Sequence, residues 1–372
     1  MVTSALRGIG VELKVVEKAV DLGVDLSADC QGRGLLPMRK ARIKAAEAKA
    51  ARVARLHGLA KRSHLVKVVS FSQATYATEA VVVSSSQAKA LRRRLTTMLG
   101  YKKGMCSASL ISMHKQHNPI AELRWKQVRH WIQLWVDHPE LHLQIRKIWR
   151  KVKFKMQPLE HTENFNRARG PIGSMIAVLH ELGIDPKQPD LWDTGRGRTW
   201  AMTNEPIDID LFRIEFFELV DAAFWEKASR HHLGAGLAGG GNFEAARKLR
   251  RRLLENREPM AAGLVESIVT AGMWTNCRCH AAGYDVSPRC VRCGAKDDGE
   301  YHRLWNCPKI LSAQHRDIAS SNYLCRDARA TSASDPCPAA VREACFWLRG
   351  IIPAAWLSMP GAPRPPPSKS SG

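Results

Sequence analysis

Apolar and polar positions alternate in two short runs near the start of the chain. Val11, Leu13 and Val15 are separated by Glu12 and Lys14, and Val20, Leu22 and Val24 by Asp21 and Gly23. A period of two predicts two short strands, hence a β-hairpin within residues 1–37. From Met38 to about Leu59 the period becomes helical: Ile43, Ala46, Ala50 and Val53 make one narrow apolar stripe, and Pro37 stands where helix starts tolerate proline. A β-branched stretch follows at Thr75–Val83. A helix is then expected from about Ser86 to Leu99, opened by serines suited to capping.

The middle third is helical and rich in tryptophan. Trp125, Val128, Ile132 and Trp135 share one face; past the break at Asp137-His138-Pro139, Leu141, Ile145, Ile148, Trp149 and Val152 share another. Residues 156–210 show no clear period and read as irregular. An amphipathic helix from about Ile209 to His232 uses Phe212, Phe216, Leu219, Ala223 and Phe224. It ends at GAGLAGGGN, expected to be a flexible turn, and another helix follows. The pattern divides the chain into a hairpin (1–37), a basic helical region (38–155), a helical connection (156–273), a Cys/His module (274–310), a C-terminal helical segment (311–359) and a Pro/Ser tail (360–372). The expected fold class is mainly α, with a short N-terminal β-hairpin and a small CCHC zinc module. No internal repeat is present.

Composition adds one strong constraint. The 372 residues include 57 Lys and Arg against 35 Asp and Glu, a net charge of +22. Such a surplus favours a polyanionic partner, because each phosphate neutralised releases condensed counterions. The start MVTSALRGIGVEL lacks the apolar core of a signal peptide, and no window approaches the roughly 18 apolar residues of a membrane span. The expectation is a soluble, intracellular protein, nuclear or cytoplasmic and not secreted, with no membrane partner.

The positive charge is concentrated. One stretch carries Arg39, Lys40, Arg42, Lys44, Lys49 and Arg52, with Glu47 as the lone acid between Met38 and Lys67. Others carry Arg92, Arg93 and Arg94; Arg146, Lys147, Arg150 and Lys151, continuing to Lys153 and Lys155; and Arg247, Lys248 and Arg251, with Arg250 and Arg252. Surface helices usually interleave both signs for pairing along the helix. These one-signed runs are candidate contacts to RNA or DNA phosphates, which would confer affinity but little sequence preference.

Ten cysteines in a long chain without a secretion signal do not suggest a disulfide framework. Cys277, Cys279, Cys290, Cys293 and Cys307 crowd together, while Cys30, Cys106, Cys325, Cys337 and Cys345 are scattered. The spacing Cys290-x2-Cys293-x8-His302-x4-Cys307 suits one tetrahedral zinc ion: a Cys-x-x-Cys turn aims two thiolates at one point, and Gly294 allows the backbone angles such a turn requires. Four protein ligands leave no open position, so the zinc is expected to be structural. Cys277, Cys279 and His280 invite a second metal, but Cys-x-Cys does not form the two-thiolate turn, and packing residues are the expected reading.

No catalytic constellation emerges, and the chain is not expected to be an enzyme. Gly234-Ala235-Gly236-Leu237-Ala238-Gly239 matches a dinucleotide-binding pattern but follows a helix, not a strand. Asp297-Asp298 is read as a solvated pair in the zinc loop, and His231-His232 as a helix-end cap or surface pair.

Trp274-Thr275, Arg278, His280 and Gly283, followed by CVRCGAKDDGEYHRLWNCP, resemble the zinc-binding segment downstream of the polymerase in non-LTR retroelement reverse transcriptases. DLGVDLS at 21–27, ATYATE at 74–79, Leu91-Arg92 with Leu99-Gly100, and Phe346-Trp347-Leu348-Arg349-Gly350 are similar to further segments of that family in the same order. The resemblance implies a thumb-like and connection region with its zinc module. It implies RNA or DNA as partner and a polymerase palm supplied in cis or in trans. An aromatic-x-Asp-Asp palm motif is not found: Ala295, not an aromatic, stands two before Asp297. The competing expectation is a domesticated, zinc-stabilised protein-interaction module.

Overall fold

The computed structural model describes residues 18–21, 24–27, 37–55, 65, 75–76, 78, 83–115, 118–156, 168, 170–194, 199–202, 208–325, 328 and 343–357. Two short strands, β1 (Lys18–Asp21) and β2 (Val24–Ser27), pair antiparallel with Ala19 opposite Leu26. The run 20–24, expected to be a single strand, is thus shared between two, and the run 11–15 lies outside the described residues. Ten helices carry the argument: α1 (Pro37–Arg55), α2 (Ser85–Met98), α3 (Ser107–Met113), α4 (Pro119–Asp137), α5 (His142–Met156), α6 (Gly170–Glu181), α7 (Ile209–Ser229), α8 (Glu244–Glu255), α9 (Pro259–Val269) and α10 (Asn276–Ala281). The fold is mainly α. The chain divides into two compact units, residues 1–98 with 119–214 and residues 99–118 with 215–372, so the segments 38–155 and 156–273 each contribute to both.

In the first unit α2 packs on α1 and α4, and α6 packs on α4 and α5. Ser84 starts α2 with a capping box: its Oγ accepts the Gln87 N–H, and Gln87 Oε1 accepts the Ser84 N–H. Trp125, Val128, Ile132 and Trp135 are all buried, as their spacing predicts. On α5, Ile145 and Trp149 are buried, and Trp149 meets Trp131 at 5.3 Å between ring centres. Ile148, expected on that face, is instead 49% exposed, because it falls about 100° around the axis from Trp149, on the outer side of the buried row Ile145, Trp149 and Met156.

Residues 156–210 are not irregular throughout. They contain α6, whose run from Gly173 to Leu179 is buried on every side and therefore has no apolar period to read. A three-stranded antiparallel sheet follows: β3 (Asp185–Gln188), β4 (Leu191–Asp193) and β5 (Thr199–Ala201), in that order. Strands of three or four residues are too short to show alternation. Arg124, fully buried on α4, locks this unit: its Nε donates to Glu181 of α6, its guanidinium is ion-paired with the same carboxylate, and its Nη1 donates to Val83 O and Gln127 Oε1.

In the second unit α8 and α9 pack as a helical hairpin, and α3 packs on α9. Met113, Leu237, Phe243, Ala246, Val269, Cys345 and Ile351 form the core, with Trp225 and Val265 against it. Along α7 the buried positions here are Phe216, Val220, Phe224 and Ala228; Ala223, expected inside, is exposed because the row advances by four residues. Nor is the glycine segment loose. His231, Gly234, Leu237 and Gly240 each donate a backbone N–H to the carbonyl three residues back, and a Cβ on Gly234 would lie 2.0 Å from Ala228 O. Arg349 is 1% exposed and meets no carboxylate among the described residues. Its Nε and Nη2 donate to Val269 O at the end of α9, its Nη1 to Leu233 O, and its Nη2 also to Ser109 Oγ.

Candidate metal centre and basic faces

The metal-binding geometry starts with a turn. Gly294 adopts φ +75°, its N–H donates to Cys290 O at 2.8 Å, and the Cys290 N–H donates to Ala295 O at 2.9 Å. The loop thus doubles back and directs Cys290 and Cys293 inward. Downstream, a one-turn helical segment, His302–Asn306, brings His302 to the same point, and Cys307 follows at the start of the short helix Pro308–Leu311. Cys290, His302 and Cys307 are buried, and Cys293 is half-buried. All four donor atoms lie within 4.8 Å of one another, with Cys293 Sγ 3.3 Å from His302 Nε2. This Cys3His cluster can hold a metal ion, as the spacing predicts.

The thiols respond to one another. The Cys293 backbone N–H lowers Cys290 to about 7. Cys293 accepts the Ala295 N–H, which favours its thiolate, yet burial and the adjacent Cys290 and Cys307 hold it above the ordinary value. Three thiolates this close repel, and a divalent cation removes that repulsion.

A frame of polar contacts holds the loop. Asp298, read from sequence as solvated, is 1% exposed: its carboxylate accepts Arg303 Nε and Nη2 and the Asn276 N–H that begins α10. Nor does Cys277 offer a second metal site. Its thiol donates to Asp297 Oδ1 at 2.8 Å, its sulfur accepts the Asp298 N–H, and burial followed by the Asp297 contact pushes it up to about 11. His280 Nδ1 is engaged with Val286 O, and the described residues contain no second metal cluster.

The residues that carry the family resemblance have structural tasks. Thr275 Oγ1 caps α10 by accepting the Arg278 N–H. Arg278 donates to Ala271 O, Met273 O and Gly104 O beside the Trp274 ring, and Trp274 Nε1 donates to Lys103 O. Gly104 must be glycine: at φ +93° its added Cβ would lie 2.2 Å from Arg278 Nη2. His231 is half-buried, while His232 is exposed at the surface, 4.0 Å from Glu300. His231 Nε2 donates to Gly104 O, while partial burial, then His231 and Arg278, push His232 down to about 4 and keep it neutral.

The basic residues fall into two groups. The side chains of Arg39 and Lys40 lie outside the described residues. Arg42 sits over the Tyr76 ring at 4.2 Å, burial lowers Arg92, and Arg94 is half-buried. Arg146 pairs with Asp190 and Lys153 with Asp185, while Arg247 bonds Glu244 and Ser112 O and Arg250 pairs with Glu266. The one-signed runs are therefore partly compensated by acids distant in sequence. Lys44, Lys49, Arg52, Arg93, Lys147, Arg150, Lys151, Lys248 and Arg251 are exposed and make no ion pair among the described residues. Sequence reasoning missed Arg124, Arg303 and Arg349, which are structural, because their partners are not apparent from local pattern.

Among the described residues, no helix is long and apolar enough to cross a membrane. No protein-family model matches the chain, and no curated protein or solved structure is significantly similar to it. Fold and site together define a mainly helical protein with a Cys3His cluster able to hold a metal ion.

Proposed function

We propose that the chain binds RNA or DNA through its basic helices and that Cys290, Cys293, His302 and Cys307 hold one structural zinc ion. The observation that carries the reading is the set of exposed cations on α1, α5 and α8 that make no ion pair among the described residues, in a chain of net charge +22. Zinc is the metal suited to three thiolates and an imidazole, and a closed four-ligand set leaves no place for substrate. The segment 274–308 resembles the zinc segment of non-LTR retroelement reverse transcriptases, and we place the chain with the thumb-like, connection and zinc portions of such proteins. Its Asp297-Asp298 pair is committed to Cys277, Arg303 and Asn276 and so does not serve as a polymerase acid pair.

The test is fluorescence anisotropy of the zinc-loaded full chain with RNA and DNA, between about 50 and 200 mM salt. The reading expects affinity to fall steeply as salt rises; affinity indifferent to salt, or absent, overturns it. A zinc-stabilised protein-docking module is the second reading. It is favoured by Met260, Leu264 and Leu254, exposed apolar residues around the turn of the α8–α9 hairpin.

A further inference from the structure

Helix α5 sorts its side chains onto three sides. Ile145, Trp149 and Met156 face the core. Arg146 and Lys153 point to the flank beside the small sheet, where Asp190 at 2.7 Å and Asp185 at 3.0 Å neutralise them. The outer crest carries Lys147, Arg150, Lys151 and Lys155, all exposed and with no ion pair among the described residues. No acid occurs anywhere in α5.

The same crest carries large apolar groups that are exposed. Phe154 is 80% exposed and Leu143 is 66% exposed. At 3.6 residues per turn, positions 143 and 154 lie within about 20° of one another around the axis and roughly 16 Å apart along it. Lys147, Arg150 and Lys151 fall between them. The crest is thus an apolar platform at each end with cations between.

We infer that this crest is a binding track for single-stranded nucleic acid, with a base stacked on Phe154 and the neighbouring phosphates held by Lys147, Arg150 and Lys151. The inference rests on the nucleic-acid reading above and specifies its surface and strandedness. Duplex binding through phosphates calls for cations alone; an exposed phenyl ring among them matches an unstacked base, since every base offers a π face to an aromatic side chain. Charge alone would suit an acidic membrane as well, and the arrangement of apolar groups decides against it. An interfacial helix inserts a continuous apolar face into lipid, whereas the continuous apolar face of α5 is already buried in protein.

The probes are fluorescent single strands of RNA and DNA, on the order of 12 nucleotides long, and the matching duplexes, with the zinc-loaded full chain. Phe154→Ala is expected to weaken single-strand binding about 5- to 100-fold and leave duplex binding within about twofold, whereas Phe154→Trp keeps single-strand affinity. Combined Lys147→Gln, Arg150→Gln and Lys151→Gln should weaken binding and flatten its salt dependence. Because Phe154 is exposed, far-UV circular dichroism of Phe154→Ala should match the parent. If Phe154→Ala binds single strands as the parent does, the track is wrong while salt-dependent binding upholds the broader reading. If the parent binds no nucleic acid, both fail. If Phe154→Ala loses binding to phosphatidylserine vesicles but not to single strands, the crest is a membrane contact and the inference is overturned.

Discussion

Arg303 grips Asp298 with both its Nε and its Nη2, five residues apart along the metal-site loop, and the same carboxylate accepts the Asn276 N–H. One acid thus ties the first turn of α10 to the turn that bears His302. Asp298→Asn keeps the size but leaves Arg303 without a counter-charge. With Arg303 partly exposed, we expect a loss of about 2 kcal/mol, below the full cost of breaking a wholly buried pair. Thermal unfolding of the zinc-loaded protein measures it; an unchanged midpoint would show that the pair contributes nothing.

Cys293→Ser removes one of four ligands. Elemental analysis should find about one zinc per parent chain and well under one in the variant. Apparent zinc binding energies on the order of 10–16 kcal/mol make the loop's fold depend on the ion, so a chelator should open 274–310 to protease. Equal zinc in both proteins, or none in either, rejects the assignment.

Glu266 on α9 faces His114 of α3 at 3.4 Å and Arg250 of α8 at 2.8 Å. Burial alone would raise its carboxyl, but these two bases outweigh burial and hold it below 4.5. A depressed carboxyl stabilises the fold above its unfolded value, and that stability fades as pH falls through the folded value. Glu266→Gln should therefore be less stable than the parent at pH 7, and the gap should close in acid below about pH 4. Urea titrations at both pH values check the sign. A gap that widens in acid contradicts it.

Arg257 ends α8 with φ +61°, a left-handed position where glycine is at ease, while its N–H bonds Leu254 O. It is exposed. Arg257→Gly should relieve the strain and leave stability unchanged or raised by up to about 1 kcal/mol, the greater chain freedom of glycine when unfolded offsetting part of the gain. A drop of more than that would show that the arginine side chain holds the hairpin turn.

What the sequence makes legible is whatever repeats locally. Trp125, Val128, Ile132 and Trp135 announce a buried face through their spacing, and the four metal ligands announce a site because their loop closes within 18 residues. What depends on partners that no local period announces stays hidden. Asp298 sits in KDDGE, a string indistinguishable from solvated loop until Arg303 is seen to turn back on it. Arg124 finds Glu181 57 residues away, and Arg349 finds Val269 80 residues away. The helix α6 hides for the opposite reason: apolar on all sides, it has no polar face to set a period.

Arg349 has one more consequence. Its partners are two carbonyls and a hydroxyl, and none of these takes up or releases a proton in ordinary buffers. As acid protonates the carboxylates, Glu266 included, the ion pairs between helices fail, but this knot beneath α9 keeps the same charge and the same acceptors. The second unit therefore carries an acid-proof anchor alongside its acid-labile ones, joining 109, 233, 269 and 349 across the length of the chain.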